Sequence, residues 1–384
     1  MLTAEAMTAR QKSLAVLVLV VALVLEIVDT TIVNTALPAI KAGIGADPVH
    51  AQWIVAGYSV SFALLLMAGG RLGDSYGYRR MLVWGVAGFT LASAACGLAQ
   101  DGGQLVAARL LQGATGAVMA PQSMALMQVL FDPLERVAKM AMFGLIGGLA
   151  AIVGPILGGV LIHADLFGLG WRLLFLINLP IGLLTIVAAL RLLPPTRSGR
   201  HVGYDTGGML WFALAVAALL WPLIGSEGGA GRHHPGATLP LIAAALPLGW
   251  LGWRHVAARV GAGRPALFDP SLFAVPTFRT GLVMAMAFAA ANGGFLLVFA
   301  FALQVERGQT PLVTGLLHMP FGFGAMVGIG LLSRKLLPRF GRVIPLFGSL
   351  VMTLSCGLVL GAIGWHWPLA TIVPAMIAAG VGMG

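Results

Sequence analysis

Charge is the scarcest property of this 384-residue chain. Only 9% of its residues are Asp, Glu, Lys or Arg, against about 25% in soluble domains. A charge-covered globular surface is therefore excluded. Cysteine is almost absent too. Cys96 and Cys356 both lie in apolar runs, which excludes a disulfide framework and a cysteine metal site by spacing. The string GxxxxGK[ST] is missing, so no phosphate-cradling nucleotide loop is present. HExxH and GxSxG are missing as well, and with them the zinc-protease and nucleophile-elbow chemistries. The chain reads as a non-enzyme without a cofactor. His233-His234 sits in a Gly-rich loop. A solvated loop accounts for that pair better than a metal site does, so no metal is assigned.

What is present is apolar length. The chain is 59% hydrophobic, and a membrane span needs about 20 apolar residues. Spans are read near 14–37, 51–70, 81–99, 104–130, 137–162, 173–193, 206–224, 238–256, 280–303, 312–333 and 343–364, with a twelfth beginning near 368. The runs are continuously apolar. A transmembrane barrel would alternate apolar and polar residues. The first run is too long for a signal peptide and has no small-residue cleavage site. The fold class is an all-α polytopic membrane protein embedded in a lipid bilayer.

The net charge of +10 invites a nucleic-acid reading, but the placement of the charges opposes it. Alternate loops carry eighteen Lys and Arg residues, from Arg10 and Lys12 to Arg339 and Arg342. The other loops hold only Lys41, Arg172, Arg232 and Arg307. That is a positive-inside pattern. It puts the N-terminus in the cytoplasm and predicts no nucleic-acid partner.

One cation breaks the pattern. Arg109 lies inside an apolar stretch, Arg109-Leu-Leu-Gln112-Gly113. A guanidinium in hydrocarbon costs at least about 2.5 kcal/mol, so it should face a water-filled cavity or an acid on another helix. Glu26 and Asp29 in the first span are three residues apart and share a helix face. Asp29 lies about 13 Å from the outward end of its helix and Arg109 about 8 Å from the same side, at 1.5 Å per residue. Asp29 and Arg109 can therefore meet. Asp29 would then exchange a proton when Arg109 moves, or the pair is a static salt bridge. Gln112 follows Arg109 on the same face. Glu26 has three readings: a second proton site, an attractor of cationic substrates, or a lipid-side residue. Asn34, Gln122, Asn292 and Gln304 are further polar candidates for a cavity, each also readable as a helix–helix hydrogen bond.

Along the chain, 1–193 reads as a six-helix bundle. Residues 194–279 read as cytoplasmic connections with an inserted helix pair, and 280–384 as an incomplete second bundle. A weak repeat supports two halves. Gly70-Arg-Leu-Gly73-Asp74-Ser-Tyr-Gly77-Tyr-Arg79-Arg80 aligns with Leu337-Pro338-Arg339-Phe340-Gly341-Arg342, in which Pro338 replaces the acid. Asp74 can pair with Arg79 or Arg80, or the segment is a solvated turn that only fixes topology. Gly144 and Gly148, like Gly154 and Gly158, are small residues four apart that let backbones approach. Pro155 invites a kink.

These motifs together resemble the major facilitator superfamily, and within it the fourteen-span drug:proton antiporters of the EmrB/QacA type. The likeness is carried by the loop motif at 70–80 and by Arg109-x-x-Gln112-Gly113. It is carried equally by Gly154-Pro155-x-x-Gly158-Gly159 and by Asp29-Thr-Thr-Ile-Val-Asn34-Thr-Ala-Leu-Pro38. Trp171-Arg172 through Asn178-x-Pro180-x-Gly182, and Leu303-Gln304 through Pro320, are also similar. The resemblance implies a major facilitator fold of two helix bundles with the inserted pair as spans seven and eight. About 12 of an expected 14 spans would be present. The stretch from Pro368 to Gly384 covers roughly 25 Å as a helix, short of a core of about 30 Å, so the C-terminus reads as truncated. The resemblance also implies that Asp74 latches the two halves and that the fifth-helix motif marks antiport.

The function expected is proton-coupled export of small amphipathic organic compounds by alternating access, from a monomer in a bacterial inner membrane. Asp29, Glu26 and Arg109 would couple protons to substrate. A dedicated exporter of one metabolite and a non-transporting truncated remnant are the competing readings.

Overall fold

The computed structural model describes residues 7–196, 205–225, 235–309, 311–328, 336, 339–341 and 343–383. Arg197, Gly199, Arg200, Arg232, His233, His234, Arg334, Lys335, Leu337, Pro338 and Arg342 lie outside the described residues. Among the described residues there is no strand.

Local chemistry sets the helix ends. Helix α1 (Ala9–Ile44) opens on a capping box. The Thr8 side chain accepts from the Gln11 N–H, and the Gln11 side chain accepts from the Thr8 N–H, which satisfies two otherwise orphaned donors. It ends where Gly45 turns left-handed at φ 61°. Helix α2 (Pro48–Tyr76) starts with Pro48 after the cap Asp47, which accepts from the His50 N–H at 2.7 Å. Gly77, at φ 94°, makes the turn into α3 (Tyr78–Leu98). Asp101 caps α4 (Gly102–Leu130) through the Gln104 N–H at 2.8 Å. Helix α5 (Pro133–Ala164) bends by 43° between Met142–Ala151 and Ile156–Ala164, around Pro155.

Two tight turns, Leu166–Gly168 and Gly170–Arg172, lead into the short α6 (Leu173–Leu176) and then α7 (Asn178–Leu192). The rest is α8 (Thr206–Gly225), α9 (Pro235–Gly261), α10 (Pro276–Phe301) running into a π-turn at Ala302–Glu306, α11 (Pro311–Val327), α12 (Val343–Gly364) and α13 (Ile372–Met383). Among the described residues, five helices are long and apolar enough to cross a membrane, or six if the bent α5 counts as one span. Helix α4 is not one of them, although its 29 residues suffice in length. Arg109, Gln112, Gln122 and Gln128 dilute its apolar content.

The chain divides into two compact units. The first comprises Met1–Arg136 and Val160–Ala274. Its spine is the α2–α4 pair, packed along a glycine seam. A Cβ on Gly69 would collide with the Ala117 backbone, and one on Gly113 with the Tyr58 backbone and the Ser61 hydroxyl. Only glycine lets these helices approach so closely. Helix α3 closes on α4 through Gly85 against Met119, and α7 on α3 through Gly182 against Thr90. Helices α8 and α9 pack on each other, and α8 lies on α2.

A polar node ties this helix pair down. The buried Asp205 precedes α8 and accepts from the N–H groups of Gly208 (2.8 Å) and Leu267 (3.1 Å), with His255 Nε2 at 2.9 Å. Arg71 of α2 donates in turn to the carbonyls of Ala266 and Leu267. Burial pushes the Asp205 carboxyl up, but these hydrogen bonds outweigh it and hold the group below its ordinary value.

The second unit comprises Val137–Gly159 and Val275–Gly384. Its core gathers Phe295, Phe299, Leu303, Phe321, Val359, Ile363 and Met376. Helix α13 packs on both α11 and α12. Gly324 stands against the Ile377 backbone and Gly380 against that of Phe321.

Candidate functional site

The first unit holds a shielded polar cluster built from five helices. Asp29 comes from α1, Ser93 from α3, Arg109 and Gln112 from α4, and Asn178 from the start of α7. Helix α2 adds the Ile54 carbonyl and the Tyr58 ring. All five side chains from α1, α3, α4 and α7 are buried, Asp29 and Arg109 to 1% residual exposure.

The contacts are dense. Arg109 Nη1 lies 2.5 Å from Asp29 Oδ2. The same nitrogen donates to Gln112 Oε1 at 2.7 Å, and Nε donates to the Ile54 carbonyl at 3.1 Å. The other carboxylate oxygen, Asp29 Oδ1, accepts from Gln112 Nε2 at 2.8 Å and Asn178 Nδ2 at 3.2 Å. Ser93 accepts from Asn178 at 2.9 Å and from Gln112 at 3.2 Å, and donates to the Phe175 carbonyl at 2.9 Å. Cys96 Sγ lies 3.5 Å from Gln112 Oε1. The guanidinium carbon stands 4.7 Å from the Tyr58 ring centre and 5.9 Å from that of Phe175. A buried cation over aromatic faces gains about 2 kcal/mol or more.

The cluster makes chemical sense as a charge-neutral pair that three neutral groups surround. Removing one partner of a buried pair leaves an uncompensated charge at roughly 3–5 kcal/mol. The carboxylate has three donors and the cation has alternative acceptors in Gln112, Ile54 and the two rings. Arg109 therefore has acceptors besides Asp29.

The structure brings together Asp29, Arg109 and Gln112 as expected from their depth. Glu26 lies one turn earlier on α1, partly buried, and none of the described residues hydrogen-bonds its carboxyl. Gln122 sits elsewhere. Its Nε2 donates to the Gly69 and Val118 carbonyls at 2.8 and 2.9 Å, so it is a helix–helix bond between α4 and α2. Asn292 belongs to the second unit, and its buried Oδ1 has no hydrogen-bond partner among the described residues. The side chains of Asn34, Pro155 and Gln304 lie outside the described residues.

The loop motif departs from the expected pairing. Asp74 accepts from the Tyr78 hydroxyl at 3.0 Å, and among the described residues no ion pair joins it to Arg79 or Arg80. Tyr78 is four residues on and reaches it first. The Arg79 N–H donates to Thr196 Oγ1 at 3.1 Å and its guanidinium to the Leu190 carbonyl. Gly73 packs against Gln122 and Gly77 against the Thr196 carbonyl, while Gly70 has only Pro121 near it. In α5, Gly154 and Gly158 are buried. At Gly144, Gly148 and Gly159 a Cβ would meet nothing within 4 Å. Close backbone approach at glycine is made at Gly69 of α2 and Gly113 of α4.

Sequence reasoning missed Ser93, Tyr58 and the place of Asn178. Asn178 was visible as part of a motif, and a lone amide inside an apolar run was its signal. Ser93 gave none, because serine satisfies itself on its own helix.

The family model of the Major Facilitator Superfamily matches residues 19–384. The probable actinorhodin transporter of Streptomyces coelicolor is 38% identical over 94% of this chain. The chain spans 62% of that relative's length. The putative multidrug resistance protein MdtD of Salmonella paratyphi B is 32% identical over 92% of the chain and 74% of the relative. Among solved structures, the proton:xylose symporter XylE superposes with a TM-score of 0.63 at 14% identity, covering 98% of this chain and 80% of that one. This last likeness concerns the fold alone.

Proposed function

Because the chain belongs to the Major Facilitator Superfamily, a family of multi-pass membrane proteins, we propose that it is a proton-coupled antiporter exporting small amphipathic organic compounds. The observation that carries this reading is the buried Asp29–Arg109 pair with Gln112 and Asn178 around it. In the cycle, a proton from outside binds the Asp29 carboxylate and removes its charge. Arg109 then turns to Gln112, Ile54 and the Tyr58 ring. Alternation of the access side exposes Asp29 inward, the proton leaves, and Arg109 returns. Glu26, one turn nearer the N-terminus and without a bonded partner, serves as a second proton stop. The substrate moves outward in exchange.

The eighteen-to-four distribution of basic residues supports a cytoplasmic N-terminus in a bacterial cell membrane. Asp74, Arg79 and Arg80 on that side, and the bent α5, serve as the moving parts of alternation. The protein works as a monomer.

A second reading is a dedicated exporter of one compound. It is favoured by the higher identity to a relative named for one product, at 38%, than to a relative named for multidrug resistance, at 32%. The experiment is reconstitution in liposomes under an imposed pH gradient, with a panel of unrelated amphipathic compounds. Proton movement elicited by several of them supports broad export. Movement elicited by one supports the dedicated form, and movement by none above empty liposomes removes the proposal.

A further inference from the structure

Arg79 and Arg80 are neighbours with different surroundings. Arg79 is engaged at both backbone and side chain, by Thr196 and Leu190. Arg80 is exposed, and none of the described residues bonds its guanidinium. It stands at one end of an open groove of about 350 Å³ on the surface of the first unit, formed by α2, α3 and α4. Leu72, Trp84, Thr115 and Val118 line the groove, and Tyr76 shares the Arg80 end. Trp84 is 63% exposed and Tyr76 48%. Gly85 also lines the groove, and there α3 closes on Met119 of α4.

We propose that this groove binds one anionic phospholipid, with an acyl chain along Leu72, Trp84 and Val118 and its phosphate-bearing headgroup on Arg80. Three observations select this occupant. The walls are apolar from Leu72 to Val118, which suits a hydrocarbon chain and not a polar solute. The cation stands in the first turn of α3, where the chain passes from the Gly77 turn into an apolar span. Tyr and Trp with an apolar body and a polar edge concentrate at the membrane–water interface. Basic residues at the membrane surface attract anionic lipid. A zwitterionic lipid would fill the apolar walls equally but gain less from an unpaired guanidinium. The inference depends on the chain lying in a bilayer and not on the direction or coupling of transport.

The test uses the tryptophan itself. The intact protein is reconstituted in vesicles with increasing fractions of lipid brominated on its acyl chains, either phosphatidylglycerol or phosphatidylcholine. The Trp84 signal is the emission lost in Trp84→Phe. Quenching of that signal should reach half its extent at a several-fold lower fraction of phosphatidylglycerol than of phosphatidylcholine. Arg80→Gln should bring the two curves together, and Arg80→Lys should keep them apart. Equal curves in the unmodified protein, or a preference that survives Arg80→Gln, would overturn the proposal. Absence of quenching by either lipid would overturn it too, since the groove would then be filled by protein. Proton-coupled efflux measured on the same vesicles reports separately on the transport reading.

Discussion

The Arg109 guanidinium meets the Asp29 carboxylate at 2.5 Å, and both side chains are closed to solvent. Eighty residues of sequence separate them, and each lies on a helix that the other would otherwise leave with an unpaired charge. This mutual dependence makes the pair the first target for mutation.

Asp29→Asn keeps the shape and most of the hydrogen bonds but removes the exchangeable charge. Proton-linked efflux should fall to the level of empty liposomes while the protein still inserts and purifies. Normal efflux by this variant under a pH gradient would exclude Asp29 from coupling.

Arg109→Ala should be at least as damaging, because the buried carboxylate loses its counter-ion. Thermal unfolding in detergent should show a loss of about 3–5 kcal/mol. The double variant Asp29→Asn with Arg109→Gln should regain much of that stability and none of the transport. A double variant as unstable as Arg109→Ala alone would mean that the charge is not what holds the cluster together.

Gly113→Ala places a methyl against the Tyr58 backbone and the Ser61 hydroxyl. Overpacking of that kind costs about 1–3 kcal/mol. Gly357→Ala, in a position with nothing within 4 Å, should leave the melting temperature unchanged or raise it. Equal responses at the two sites would remove the glycine seam as the reason for the close α2–α4 packing.

Asp205 supplies a pH dependence outside the membrane spans. Burial raises its carboxyl, but the hydrogen bonds from Gly208, His255 and Leu267 prevail and lower it. A group whose folded value is depressed adds stability above its unfolded value and loses it as pH falls through the folded one. Melting temperature should therefore hold from neutral pH down to the ordinary aspartate value of about 3.9 and drop as pH falls below it. Asp205→Ala should lose about 0.5–2 kcal/mol at neutral pH, as helix-cap removals do, and should show a shallower acid drop. An identical acid profile in the variant would discount the node.

Orientation is open to labelling. Cys96 is buried and Cys356 half-buried, so background reaction with an impermeant thiol reagent should be low. A cysteine at Ala262 should be protected in whole cells and one at Gly231 should react. Ala262 is chosen because neighbouring Gly263 has φ +63°, where a side chain is strained. The opposite pattern would turn the topology over.

The charges at the site were legible in the sequence, and the neutral groups were not. An arginine within an apolar run demands a partner, and Asp29 was the acid at matching depth. Gln112 followed from helical spacing. Gln122 shows the limit of such reasoning. It has the same chemistry and lies on the same helix as Gln112, yet it bonds Gly69 because glycine leaves that carbonyl open to it. Ser93 and Asn178 needed the crossing of α3 and α7, which periodicity does not supply. The loop motif misled in its pairing. Opposite charges five and six residues apart suggested an ion pair, but the turn at Gly77 sends Arg79 toward Leu190 and Thr196.

The glycine seam has a mechanical consequence. With backbone set against backbone at Gly69 and Gly113, and with Arg109 of α4 bonded to the Ile54 carbonyl of α2, the two helices have no room to slide past each other. They form a single stiff plank that carries the cation at a set height. Beyond the turn of the Arg109 side chain itself, any backbone displacement that parts it from Asp29 is then borne by α1, on which, among the described residues, no glycine lock of this kind meets the plank. Proton traffic and the tilt of α1 would thus be two readings of one coordinate.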